Sequence, residues 1–288
     1  MTDLYKKVSN KTKQVLYKYM TDEEVSLINY CFNYFFQYYI KENQIKVISH
    51  HFSNSKIEGL TVIDVLSISI SYEKNNIKVK QNFTICHELG HIILNHEGSY
   101  FTESLDNQGN ILEREANIFS AVVLMPDIVL LTKIYYNYET FQNIQDSLEV
   151  SKQALYFRLL DLLRVYSPNN ETEIKTSIDS YINGQNTSIL LLFHRIKECI
   201  IEEFNHYKPS LLNQIKRKIG ESGFITSQDI PELLNQKKWD QLKKENPNLK
   251  IWLVYNKGRS LAYVWDKNKI SENEAKKKAE LQLLLMNV

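Results

Sequence analysis

The residues with the most chemical content are His87, Glu88 and His91, in the run His87-Glu88-Leu89-Gly90-His91. Positions i and i+4 of a helix share a face, so both imidazoles can point at one metal ion. Glu88 stands between them and can act as general base on an attacking water without being a ligand. A hydrolytic zinc site needs a third protein ligand and one open position. Glu113 and Asn117 lie four apart on a later helix and share a face. Glu113 can complete a His-His-Glu set, and Asn117 can hydrogen-bond the back of a ligand histidine. Glu115 projects to another side of that helix and is the poorer candidate. His96 is the alternative third ligand. It falls one residue short of the ten-residue spacing that brings a third histidine round after a glycine, and Leu94 occupies the glycine position. A polar residue at a helix end suits His96 better. His50 and His51 are adjacent on a β-like run and face opposite ways, which fits surface polarity, and His194 and His206 carry no site.

A pattern with three fixed positions in five arises by chance, so its surroundings decide its weight. The other faces of this helix are apolar (Phe83, Ile85, Leu89, Ile92 and Ile93). Gly90 sits mid-helix, where glycine costs about 1 kcal/mol against alanine. That cost predicts a neighbouring backbone passing close by.

The elements that position these residues can be read from periodicity. Thr21-Asp22-Glu23-Glu24 reads as a capping box opening a helix to about residue 41. Short β-like runs follow at 45–48, 60–65, 68–72 and 77–80. The motif helix spans 83 to about 95, residues 98–110 read as a polar loop, and a second helix runs from 112 to 125, closed by Pro126. Helical patterns continue at 127–136, 139–147 and 151–165, the last capped by Ser151. Residues 167–186, with Pro168 and Gly184, read as a boundary. Helices at 188–207 and 211–219 follow. Then comes a hairpin of 251–255 and 261–265 around Asn256-Lys257-Gly258-Arg259, and a charged helix from Ser271. The expected class is α+β, mainly helical. A small antiparallel sheet packs on the motif helices, followed by a helix-turn-helix-like unit and a helical C-terminal region with a β-hairpin. The expected domains are 1–138, 139–186 and 187–288.

Longer stretches carry a resemblance. The runs Ile57-Glu58-Gly59-Leu60-Thr61-Val62, Ile68-Ser69-Ile70-Ser71, Phe83-Thr84-Ile85-Cys86-His87-Glu88-Leu89-Gly90-His91, Glu113-Arg114-Glu115-Ala116-Asn117-Ile118-Phe119 and Leu124-Met125-Pro126 together resemble the ImmA/IrrE family of metallo-endopeptidases. The resemblance covers about residues 20–165. It implies a gluzincin-like fold with Zn2+ held by His87, His91 and Glu113, and Glu88 as general base. It further implies cleavage of a helix-turn-helix (XRE-type) repressor, which relieves repression of mobile-element, prophage or stress genes. Residues 144–163 look like the helix-turn-helix-like unit of that family. An arginine often precedes the Phe-Thr pair in the family, where this chain has Lys80. Residues 187–288 match nothing in it. The run 68–72 would be the active-site edge strand, with Ser69, Ile70, Ser71 and Tyr72 receiving an extended substrate, and Tyr72 is the weak candidate for oxyanion stabilisation.

Composition bounds the alternatives. Of 288 residues only eight are Gly and five Pro, which excludes collagen-like and Gly/Pro-rich disordered chains. Three widely spaced cysteines exclude a thiolate zinc knuckle. The Lys-rich N-terminus lacks the apolar core of a signal peptide, and no apolar run reaches membrane-spanning length, so a cytoplasmic protein is expected. The net charge of +1 is a cancellation: residues 1–207 hold 19 Lys+Arg and 25 Asp+Glu, and residues 208–288 hold 16 and 9. The basic region suggests an interaction surface, with nucleic acid the less favoured partner. The balanced charge of 144–163 is poor for phosphate contact. The competing functions are a DNA- or protein-binding regulator with a structural or vestigial zinc site, and a toxin–antitoxin component.

Overall fold

A computed structural model describes residues 3–53, 57–64, 67–104, 110–167, 170–256 and 258–286. Val65, Pro168, Lys257 and residues 105–109 of the expected loop lie outside the described residues. The chain divides into two compact units, Met1–Tyr207 and Lys208–Val288.

The first unit opens with α1 (Asp3–Asp22), which buries Tyr5, Val8, Thr12, Leu16, Tyr19 and Met20 along one stripe. The capping box at Thr21 is not used. Thr21 lies in the last turn of α1, and its hydroxyl donates to the Lys18 carbonyl at 3.0 Å. The stripe is built partly from Tyr and Thr and so reads as polar by composition, yet its 3.6-residue period is enough to bury a face. The next helix, α2 (Phe32–Glu42), starts later than expected and buries Phe32, Phe35 and Phe36.

Four strands follow: β1 (Lys46–His50), β2 (Ile57–Ile63), β3 (Ile68–Glu73) and β4 (Tyr100–Ser104), in the order β1-β3-β2-β4. β2 is antiparallel to β3 and β4, whereas β1 runs parallel to β3, so this sheet is mixed. β3 is interior. Ser69, Ile70, Ser71 and Tyr72 pair with Lys46–Ser49 on one side and with residues 59–62 of β2 on the other. Their ladder positions are filled, so the expected edge strand is a central one. β4 lies where a loop was expected. Phe101 points inward and Tyr100 outward, the alternation of a half-buried strand.

The motif helix α3 (Lys78–Ile93) begins inside the run expected to be a strand. That run, 77–80, is largely exposed and has no partner strand. Its Lys80 instead reaches Glu58 of β2 at 2.6 Å. α4 (Ile111–Leu124) is capped by Asn110, whose side chain accepts from the Leu112 amide at 2.9 Å. α3 and α4 pack directly. A Cβ on Gly90 would stand 3.0 Å from Cδ1 of the Phe119 ring, so the close neighbour is a side chain, not the backbone expected.

α5 (Asp127–Leu131) continues through a π-helical turn, Thr132–Tyr136. α6 (Phe141–Leu148) and α7 (Lys152–Tyr166) are joined by a tight turn with Glu149 in the left-handed region at φ 50°. Asn82 of α3 donates to the Glu149 carboxylate at 2.9 Å and ties the motif helix to that turn. α8 (Glu171–Ile182) occupies the expected boundary, burying Ile174, Ser177, Ile178 and Tyr181. α9 (Thr187–Asn205) packs on α8 and α5. The first unit therefore runs to Tyr207, across the expected boundaries at 138 and 186, because the apolar stripe of α9 completes its core.

Behind α4 lies a buried charge network. Asp127 pairs with Lys13 at 2.6 Å and with Arg158, and Lys13 also reaches Glu203 at 2.8 Å. Arg158 Nε donates to the Ala121 and Met125 carbonyls at 3.2 and 3.0 Å, satisfying the C-terminal end of α4. Burial alone would raise the Asp127 pKa, but Lys13 and Arg158 bring it down to about 2.

In the second unit α10 (Leu211–Ile219), β5 (Phe224–Thr226), two 3-10 turns (Pro231–Leu234 and Gln236–Lys238) and α11 (Trp239–Glu245) precede the hairpin of β6 (Leu249–Asn256) and β7 (Arg259–Asp266). The strands are antiparallel in the order β5-β7-β6. α10 and α11 contribute Leu211, Ile215, Ile219 and Leu242 to one core with Ile251 and Val264. α12 (Glu272–Leu285) sets Ala275, Ala279 and Leu283 against Leu261, Tyr263 and Trp265. Of the hairpin aromatics, Tyr263 and Trp265 are buried, while Trp252 and Tyr255 are exposed.

The architecture is α+β and mainly helical. No single helix among the described residues is long and apolar enough to cross a membrane.

Candidate metal centre

α3 and α4 cross so that His87, His91 and Glu113 converge, all buried. His87 Nε2 lies 3.1 Å from His91 Nε2 and 2.9 Å from Glu113 Oε2, and His91 Nε2 lies 3.6 Å from Glu113 Oε1. Zinc–nitrogen bonds of about 2.05 Å at tetrahedral angles set ligand atoms about 3.3 Å apart. The three separations bracket that value, so the donor set fits a tetrahedral divalent cation. The donor types, two imidazole nitrogens and one carboxylate, suit the same ion.

The outer nitrogens are also engaged. His87 Nδ1 lies 2.9 Å from Asn117 Oδ1, as the spacing of Glu113 and Asn117 predicted. His91 Nδ1 lies 2.8 Å from Nδ1 of His96, which is not among the converging ligands. Glu115 lies 3.0 Å from the far side of His96. Phe101 of β4 stacks on the His91 ring, centroids 4.4 Å apart and planes 15° from parallel. Burial, then the neighbouring His87 and His96, push the His91 pKa down to about 2. A neutral imidazole keeps a lone pair for a metal.

Glu88 is fully buried on the side of α3 that faces the sheet. The Thr61 hydroxyl donates to Glu88 Oε2 at 2.5 Å. Gly59, two residues back on the same face of β2, lets the carboxylate approach: a Cβ there would lie 2.5 Å from Glu88 Oε1. Thr61, Gly59, Phe101 and the His96–Glu115 pair did not emerge from sequence spacing. Only the Gly-x-Thr alternation in β2 hints at a strand face made to receive a side chain.

Of the remaining sequence candidates, Tyr72 pairs in register with Gly59, on the sheet face that meets Glu88. It packs against the helical core. His51 pairs with Glu73 at the surface, at 3.2 Å. His194 meets the Tyr135 hydroxyl at 2.7 Å. α7 buries Leu155, Arg158, Leu159, Leu162 and Leu163 on one face and leaves Lys152, Gln153 and Phe157 exposed on the other.

Comparison with known families decides the relationship of this segment. Residues 40–160 match the peptidase M78 model, described as the IrrE N-terminal-like domain. Residues 40–160 belong to that family. The IrrE-like domain thus contains both motif helices, the whole first sheet and most of α7. No curated protein and no solved structure matches the chain. The match is to a metallopeptidase family, and the matched segment carries the His-His-Glu candidate metal site.

Proposed function

We propose that the chain is a zinc-dependent endopeptidase. The observation that carries this reading is the convergence of His87, His91 and Glu113 beside Glu88, within a peptidase-family domain. His87 and His91 would hold zinc through Nε2 and Glu113 through its carboxylate. Bound zinc supplies Lewis acidity, polarising the scissile carbonyl and acidifying the attacking water. Glu88 takes the proton from that water and later delivers it to the leaving amine. Thr61 fixes the Glu88 carboxylate through the transfer. Asn117 holds the His87 ring.

Substrate docking is assigned to β4 instead of β3. β4 is an edge strand, and its Phe101 lies on His91, so a peptide added along it would pass the metal centre. The substrate class is a helix-turn-helix repressor. Its support is the resemblance to the ImmA/IrrE family, in which such repressors are the targets.

The test is co-expression with any helix-turn-helix repressor found encoded beside this gene. Cleavage by the wild type and none by Glu88→Gln is the expected result, with one equivalent of zinc in both proteins and its loss in His87→Ala. A Glu88→Gln protein that cleaves at the wild-type rate would overturn the mechanism.

One observation favours an added binding role for residues 208–288. Helix, strand, helix, then a two-stranded hairpin, with strand order β5-β7-β6, is the arrangement of a winged helix. In that arrangement the helix before the hairpin and the hairpin loop approach a DNA duplex. Lys237 in the second 3-10 turn, Lys244 on α11 opposite the buried Leu242, and Arg259 at the hairpin are exposed. Asp240 and Glu245 on the same helix weaken the field, so the reading is a modest, salt-sensitive contact. Gel shifts of the full chain on duplex DNA across a salt series test it. Retardation that persists unchanged in Lys237→Glu/Lys244→Glu would overturn it.

A further inference from the structure

His96 has two nitrogens and both are placed. Nδ1 faces Nδ1 of His91 at 2.8 Å, and Nε2 faces Glu115 Oε2 at 3.0 Å. The His96 side chain is buried, and Glu115 is partly so. His91 turns its other nitrogen, Nε2, toward His87 and Glu113.

A neutral imidazole carries one ring proton, and its position is set by the partners of the two nitrogens. Two Nδ1 atoms facing each other share a single proton between them. If His96 carried it, His91 would bear its own proton on Nε2, where a cation must bind. If His91 carries it, His96 bears its proton on Nε2 and needs an acceptor there. Glu115 is that acceptor. The carboxylate therefore selects the second arrangement. Glu115 accepts from His96 Nε2–H, His96 Nδ1 accepts from His91 Nδ1–H, and His91 Nε2 presents its lone pair. Phe101 stacks flat on the His91 ring and fixes its plane, but a stacked ring offers no direction for a proton.

We propose that His96 and Glu115 are positioning residues that set the tautomer and orientation of His91 for metal binding. They do for His91 what Asn117 does for His87, through one more link. Neither is a ligand. The proposal rests on the metal-centre part of the functional reading and not on peptidase activity.

The experiment measures zinc affinity by competition with a chromophoric chelator, and the His91 tautomer by long-range 1H–15N correlation in the zinc-free protein. Outer partners of ligand histidines typically carry 10- to 100-fold of metal affinity, so His96→Leu is expected to lose about that much. His96→Gln keeps an amide oxygen able to accept from His91 Nδ1–H and should lie within about threefold of wild type, on the same scale. Glu115→Ala, at a partly exposed position, leaves the core intact. It should convert His91 from the Nδ1–H form to a mixture and weaken zinc binding. Wild-type affinity in both His96→Leu and Glu115→Ala would overturn the proposal, as would a His91 tautomer unchanged by Glu115→Ala. Should His96→Leu fail to fold, Glu115→Ala alone decides. Variants that show the expected affinity pattern in a protein that cleaves no repressor would uphold the relay and remove only the substrate reading.

Discussion

The Thr61 hydroxyl donates to the Glu88 carboxylate at 2.5 Å, from the middle of β2 to the buried side of α3. The bond joins the sheet to the residue that the proposed chemistry needs most. A hydrogen bond to a charged group contributes about 1.5–3 kcal/mol. If that contribution is realised in the transition state, Thr61→Val lowers kcat by about 10- to 100-fold. Thr61→Ser, which keeps the hydroxyl, should recover most of it. KM should change little, because Thr61 does not reach the edge where substrate is placed. Steady-state kinetics on a cleaved peptide check this, and equal loss in Val and Ser would show that the methyl packing matters instead.

Gly90 and Phe119 make the contact that sets the spacing of α3 and α4. Replacing Gly90 with Ala gains about 1 kcal/mol of helix propensity. It also places a Cβ 3.0 Å from a fully buried aromatic ring. Overpacking of this kind costs about 1–3 kcal/mol, so the net effect should be destabilising. Urea unfolding should show a lower midpoint with an unchanged slope. The double variant Gly90→Ala/Phe119→Leu should regain part of it. A more stable Gly90→Ala would mean that the helices can move apart.

Asp127 compensates two buried cations, Lys13 and Arg158. Its folded pKa of about 2 lies below the ordinary 3.8. Stability from this group is therefore complete above pH 4 and is lost as pH falls through 2. The shift corresponds to roughly 2 kcal/mol. Thermal midpoints should drop between pH 4 and pH 2, and the drop should be shallower in Asp127→Asn. That variant leaves two cations under-compensated and should be about 3–5 kcal/mol less stable at neutral pH.

The legibility of the sequence followed the range of the interactions. His87, His91, Glu113 and Asn117 were readable because each pair shares a helix face, where spacing alone fixes direction. Glu88 followed from the same helix. The partners that come from the sheet were not readable. Phe101 sits on β4, whose residues looked like a loop until paired with β2. Thr61 matters only through the register that lays it under α3. His96 was read as a polar residue at a helix end, and it is one, but its partner Glu115 arrives from α4. The edge of the sheet was misplaced for the same reason. The run 68–72 has the alternation of a strand, and alternation says nothing of whether a strand is central or at an edge. α1 and α8 were missed because Tyr, Thr and Ser supply part of their buried stripes.

Gly59 offers the sharpest test of the sheet's part in the site. A Cβ at this position would lie 2.5 Å from Glu88 Oε1 and 2.6 Å from Thr84 Cγ2. Neither neighbour can withdraw easily. Thr84 is held on α3, and Glu88 is fixed by Thr61 from the adjacent position on the same strand face. Gly59→Ala should therefore displace the carboxylate. Misplacement of a catalytic group by about 1 Å costs about 100-fold in rate. The metal ligands lie on other faces of α3 and α4, so zinc content should stay at one equivalent. Metal analysis and cleavage rate on the same preparation separate the two effects. If Gly59→Ala lost zinc along with activity, β2 would be supporting the whole helix pair. Full activity would show that the Glu88 position seen against β2 is not the one used in catalysis.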